Sequence, residues 1–141
     1  MNHPSPNPQA ALRVLTELDH ARLTGLLRRD AVPEDCVDQL EDLLSNADLV
    51  PVKSVPATVA TMRSQLLVID SAGSEHKLTL CYPADADAAT GKISVLSAIG
   101  LGLLGRSVGQ EAHWDGPDGQ AMTAKLQAIA YQPEAAGDFQ V

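Results

Sequence analysis

Apolar side chains recur at helical spacing before Pro51 and at strand spacing after it. In the first part, Leu23, Leu26 and Leu27 share one helical face. Asp19 stands where an N-cap is needed, with Leu18 and Leu23 at the two positions of a hydrophobic staple. A first helix is therefore expected from Asp19 to about Arg29. Pro33 suits the start of a second helix, where a missing amide hydrogen costs nothing, and Glu34 and Asp35 complement the positive end of its dipole. Val37, Leu40, Leu44 and Ala47 then continue at helical spacing. The short linker Asp30-Ala31-Val32 makes the pair an antiparallel helical hairpin spanning residues 16–49. Helices of about 11 to 15 residues measure roughly 16 to 22 Å, a short projection at best. Their apolar stripe packs helix on helix or helix on the main domain whatever else the hairpin does.

Beyond Pro51 and Pro56, Thr58 to Thr61, Gln65 to Ile69, Lys77 to Tyr82 and Ile93 to Val95 are expected strands, with a turn at Ser71-Ala72-Gly73-Ser74. Ser97 can cap a small apolar helix closed by Gly105, and Gly109 fits the next turn. Glu111 to Asp115 and Met122 to Tyr131 form a hairpin across the turn formers Gly116-Pro117-Asp118-Gly119. Runs of strands with one short helix predict an α+β domain with an antiparallel sheet over residues 50–141. The opening residues 1–15, with Pro4, Pro6 and Pro8, are read as a flexible tail, and the segment from Gln132 to Phe139 as an extended one.

Composition narrows the functional classes. Hydrophobic residues form 45% of the 141 and charged residues 20%, enough apolar material for one modest globular unit. The net charge of -8 opposes a phosphate backbone, and the only adjacent basic pair is Arg28 and Arg29, so direct nucleic-acid binding is not expected. Residues 34–48 carry Glu34, Asp35, Asp38, Glu41, Asp42 and Asp48 with no Lys or Arg, which complements a basic protein partner. Cys36 and Cys81 suit neither a disulfide framework nor a metal site. Without a signal-peptide pattern or a long apolar span, the expectation is a cytoplasmic protein away from membranes; it is taken to act as a monomer, although no pattern in the chain reports oligomeric state.

Three local patterns carry possible chemistry. Gly100-Leu101-Gly102-Leu103-Leu104-Gly105 satisfies the dinucleotide-binding glycine string, but the next segment reads as a β-hairpin, which favours a small packed helix. His3, His20, His76 and His113 lack ligand spacing, and His113 and Asp115 share one strand face where they could pair. Asp30, Glu34 and Asp35 gather around the hairpin tip, where carboxylates could meet Mg²⁺ or simply be solvated.

The segment from Ile93 to Arg106 resembles the signature of the Gre-factor C-terminal domain: a short strand, a serine, an apolar helical turn, then Leu103-Leu104-Gly105 and a basic residue. Ala98 stands where that family has proline. A closer resemblance is to the regulator of nucleoside diphosphate kinase family. It rests on Val59-Ala60-Thr61-Met62, Leu80-Cys81-Tyr82-Pro83-Ala84, Leu103-Leu104-Gly105, Val108-Gly109 and the ending from Tyr131 to Asp138. The resemblance implies an FKBP-like domain preceded by a short antiparallel coiled coil. It also implies docking on RNA polymerase at the rim of the secondary channel through Ser97, Ala98, Ile99, Leu101 and Arg106, with no cofactor. In Gre factors a long coiled coil carries acids to the catalytic Mg²⁺ and stimulates transcript cleavage. Asp30, Glu34 and Asp35, on a shorter hairpin, would stop short of that ion, so occupation and competition with longer factors are expected, without catalysis. The family name adds an effect on nucleoside diphosphate kinase and nucleotide pools. The rival expectations are a cleavage cofactor acting through those acids and a prolyl isomerase of the FKBP type. An isomerase pocket would have to be built from only Tyr82, Trp114, Tyr131 and Phe139.

Overall fold

The computed structural model describes residues 13–116 and 118–137. Strand β1 (Val14–Thr16) pairs in parallel with β2 (Asp48–Val50). Between them run helices α1 (Glu17–Arg28) and α2 (Glu34–Asn46). Thr16, not Asp19, caps α1: its Oγ1 accepts the Asp19 N–H at 3.0 Å, which frees the Asp19 carboxylate for another partner. The chain reverses at Asp30, whose φ of 54° lies in the left-handed region, and Pro33 immediately precedes α2. His20 meets the Leu44 carbonyl at 3.1 Å, setting the start of α1 beside the end of α2.

Both expected tails need correction. Residues 1–12 lie outside the described residues, but Arg13 and Leu15, counted with the first tail, are buried. The β1–β2 pairing leaves no periodic signal in the sequence because each strand has only three residues. Gln132, counted with the second tail, is also buried: its Nε2 donates to the carbonyls of Pro56 and Val59, both at 2.7 Å. Residues 138–141, which include the last two of that tail, lie outside the described ones.

The second half is a curled sheet of β3 (Gln65–Asp70), β4 (Glu75–Cys81), β5 (Lys92–Ser94), β6 (Glu111–Asp115) and β7 (Ala121–Tyr131), in the order β5-β4-β3-β7-β6. The architecture is mixed α+β. The sheet itself is not wholly antiparallel, because β5 runs parallel to β4 after two 3-10 turns at Pro83–Asp85 and Ala88–Thr90 bring the chain back. Two register shifts between β3 and β7 bend the sheet, as bulges do. Thr58 to Thr61 is not a strand. Its Ala60 amide donates to Arg106 O and its Thr61 amide to Ser64 Oγ, so only Val59 makes a bridge, to Ser107.

Leu15, Leu23, Leu40 and Leu43 from the helical half join Leu66, Val68, Leu80, Leu101 and Leu126 from the sheet half in one continuous core. Each fully buried leucine contributes about 2 kcal/mol of transfer free energy. The helix pair is therefore anchored on the sheet along its apolar face, and the short helix α3 (Ala98–Leu103) packs between α2 and β6. Among the described residues, no helix is long and apolar enough to cross a membrane.

Candidate functional site

The site grows from the turn that enters α3. Ser94 Oγ accepts the Leu96 N–H at 3.0 Å. Ser97 Oγ donates to the Ser94 carbonyl at 2.7 Å and accepts the Gly100 N–H at 3.1 Å, capping the helix. These bonds fix the turn that sets Ala98 at the start of α3. The glycine string serves close packing. A Cβ at Gly100 would fall 2.4 Å from the Ser94 carbonyl, one at Gly102 would touch Ala112, and Gly105 has φ 83° against the Val14 backbone.

Two buried arginines close the other end of α3. Arg13 Nη1 donates to the Leu101 carbonyl and, at 3.3 Å, to that of Leu104, while Arg106 Nε donates to Gly102 O at 3.1 Å. These carbonyls are the negative end of a helix that has no further turn to satisfy them. Burial lowers both guanidinium pKa values to about 10; for Arg13, repulsion from Arg106 adds to this and Asp42 opposes it.

Beside this frame lies a cleft of about 1380 Å³ between α2, the α3 turn and β6. Asp35, Asp38 and Asp42, at helical spacing, form the acidic wall; Ala98 and Ile99 form the floor; Trp114 and Met122 form the far side. Gln39 Nε2 donates to the Ala98 carbonyl at 3.1 Å and sets the width of the cleft at that point. Because the two arginines are buried, the charge reaching solvent along the α2 wall is negative.

Ser97, Ala98, Ile99, Arg106 and Asp35 all line this cleft. Leu101 does not: it is fully buried in the core. Arg106, only 2% exposed, supports the cleft from beneath and offers almost no contact surface. Asp30 and Glu34 are exposed at the turn outside the cleft. Among the described residues, no three His, Cys, Asp or Glu side chains are grouped to hold a metal ion. His113 and Asp115 both line the cleft, yet no hydrogen bond or ion pair joins them. Arg13, Gln39, Trp114 and Met122 were not anticipated as site residues. The helical spacing of Asp35, Asp38 and Asp42 was visible in the sequence, but not the surface they would face.

Residues 55–131, more than half of the chain, match the family of transcription elongation factor GreA/GreB, C-terminal. The regulator of nucleoside diphosphate kinase from Escherichia coli (strain K12) is 33% identical over 128 residues, covering 89% of this chain and 94% of that one. The transcription elongation factor GreA from Flavobacterium johnsoniae is 39% identical over 84 residues, covering 59% of this chain and 53% of that protein. Among solved structures, a GreA/GreB transcription elongation factor from Nitrosomonas europaea has a TM-score of 0.68 at 34% identity, covering 84% of this chain and 98% of that one. The chain thus belongs to the GreA/GreB family and, within it, resembles the regulator of nucleoside diphosphate kinase over most of its length.

Proposed function

We propose that this chain is a non-enzymatic cytoplasmic regulator of transcription that docks as a monomer on RNA polymerase near the secondary channel. Docking would use the cleft between α2 and α3. The observation that carries this reading is the placement of the signature turn Ser97 to Ile99 against the acidic face Asp35, Asp38 and Asp42. An apolar floor beside an exposed acidic wall suits a helical segment carrying both aliphatic and basic side chains.

The sheet half is read as FKBP-like and α1–α2 as a shortened counterpart of the Gre coiled coil. At 12 and 13 residues these helices extend about 18 and 20 Å, and their apolar faces are already used on the core. Such a pair occupies a docking site without delivering Asp30, Glu34 or Asp35 to a distant metal ion. Competition with longer Gre-type factors is the consequence. An influence on nucleoside diphosphate kinase, which the relative's name records, and through it on nucleotide pools, would then result from altered transcription.

The test is binding of purified RNA polymerase to the full chain and to two variants. Ile99→Glu, which puts a charge on the cleft floor, is expected to weaken binding about tenfold or more. Asp30→Ala combined with Glu34→Ala, outside the cleft, is expected to leave binding unchanged. Binding insensitive to Ile99→Glu would rule out this cleft as the docking site.

A further inference from the structure

Three arginines of this acidic chain line a second groove, which runs along α1. Arg22 and Arg29 belong to the α1 segment and Arg63 to the loop before β3, with Leu26, Tyr82 and Pro83 among the remaining lining. The groove encloses about 660 Å³, and no carboxylate is among its lining residues. The chain carries 10 Lys and Arg against 18 Asp and Glu, so this is a local reversal of the molecule's field.

The arginine from the loop is held in an unusual way. Arg63 has φ 67°, a left-handed conformation that favours glycine, and its amide donates to Leu80 O at 2.7 Å. Its guanidinium lies 5.8 Å from the centre of the Tyr82 ring. Its Nε is buried and has no hydrogen-bond acceptor among the described residues. A buried guanidinium donor without an acceptor is costly; because Nε itself is shielded from solvent, an anion in the groove would act through the charge of the guanidinium and its outer N–H groups. Arg22 sits close enough to the Tyr82 hydroxyl to favour its ionised form, against the burial that raises its pKa. Asp19, buried behind them, offsets part of the positive charge from the protein side.

We propose that this groove binds a small phosphate-bearing anion, diphosphate-like in charge. Guanidinium forks match phosphate oxygens in pairs, and three arginines lining one groove without a carboxylate favour a multiply charged group over a single carboxylate. The volume is that of a small-molecule site, and Leu26 and Pro83 provide apolar surface for an organic portion. Arg63 already occupies one face of Tyr82, the groove's aromatic ring, which leaves little platform for stacking bases. The net charge of -8 further opposes a long polyanion, so a compact ligand is favoured over a nucleic-acid strand.

Titration calorimetry of the full-length protein with inorganic pyrophosphate at low salt tests this. One saturable site is expected, weakened by added salt. Arg29→Ala and Arg63→Gly should each reduce affinity about tenfold or more. Glycine suits the backbone at position 63, so Arg63→Gly should unfold at or above the wild-type temperature and still bind polymerase, which separates this site from the cleft. No saturable binding at millimolar pyrophosphate, or equal affinity in wild type and both variants, would overturn the proposal. Binding of a poly-glutamate peptide without binding of pyrophosphate would also overturn it, in favour of an acidic protein partner.

Discussion

The carboxylate of Asp19 on α1 accepts the Met62 amide N–H at 3.2 Å, tying the helix pair to the loop that leads into the sheet. Asp19 is only 3% exposed, and burial raises its pKa from 3.8 to about 6; Glu134 adds to the rise, and the bonds from Met62 and Thr16 oppose it. A folded-state pKa above the unfolded one means that the native protein binds the proton more tightly. Stability from this group is therefore fully present below pH 3.8, is lost as pH rises toward 6, and stays lost above it. The loss is about 2 to 3 kcal/mol. Asp19→Asn keeps an oxygen acceptor for Met62 and removes the titration. It should be more stable than wild type at pH 7.5, with the gap closing toward pH 4, in urea unfolding across that range. Parallel stability curves for the two proteins would contradict the assignment.

Arg13 serves the C-terminal carbonyls of α3 from a position outside the sheet half. Replacing it with methionine retains bulk but leaves the Leu101 and Leu104 carbonyls without their donor. The expected cost is about 2 to 4 kcal/mol. Lysine should recover part of this. Chemical denaturation of Arg13→Met and Arg13→Lys measures the order, and equal stability of Arg13→Met and wild type would refute this role.

Gly100 approaches the backbone of the turn that precedes it. The added methyl of Gly100→Ala would lie 2.4 Å from Ser94 O and 2.9 Å from Val95 Cα, both backbone atoms that cannot swing away. A loss of about 1 to 3 kcal/mol is expected, together with weaker polymerase binding because the Ser97 turn must shift. Gly109, at φ 95° but with open space around it, serves as a control for crowding: Gly109→Asn should cost less. Thermal unfolding of both variants checks the ranking.

Much of this arrangement could be read from residue order alone. The α3 cap at Ser97 and the β6–β7 hairpin came from local rules, because Ser97, Gly105 and the 116–119 turn carry their own signals. Long-range choices were not legible. Thr16 displaced Asp19 as cap because Asp19 is used by Met62, 43 residues away. Arg13 looked like part of a tail because its partners lie 88 and 91 residues on. The cleft obeyed the same rule: Asp35, Ser97 and Arg106 were each singled out, but only the packing of α2 on α3 brought them to one surface. The same packing buried Arg106, which no local pattern foretold, whereas the burial of Leu101 agrees with the small packed helix expected there.

Asp35, Asp38 and Asp42 are exposed, so neutralising them should alter binding and leave stability nearly unchanged. The combined Asn substitution is expected to weaken polymerase binding about tenfold at low salt, with less effect at high salt, where these charges are screened. Binding curves at two ionic strengths decide this, and an unchanged affinity at low salt would remove the acidic wall from the interface.

The most direct measurement is competition between this chain and a GreA protein for purified RNA polymerase, read as displacement of labelled GreA. Saturating amounts of the chain should displace GreA fully, and the Ile99→Glu variant should do so about tenfold less well. Undiminished GreA binding in the presence of saturating chain would contradict occupation of a shared site.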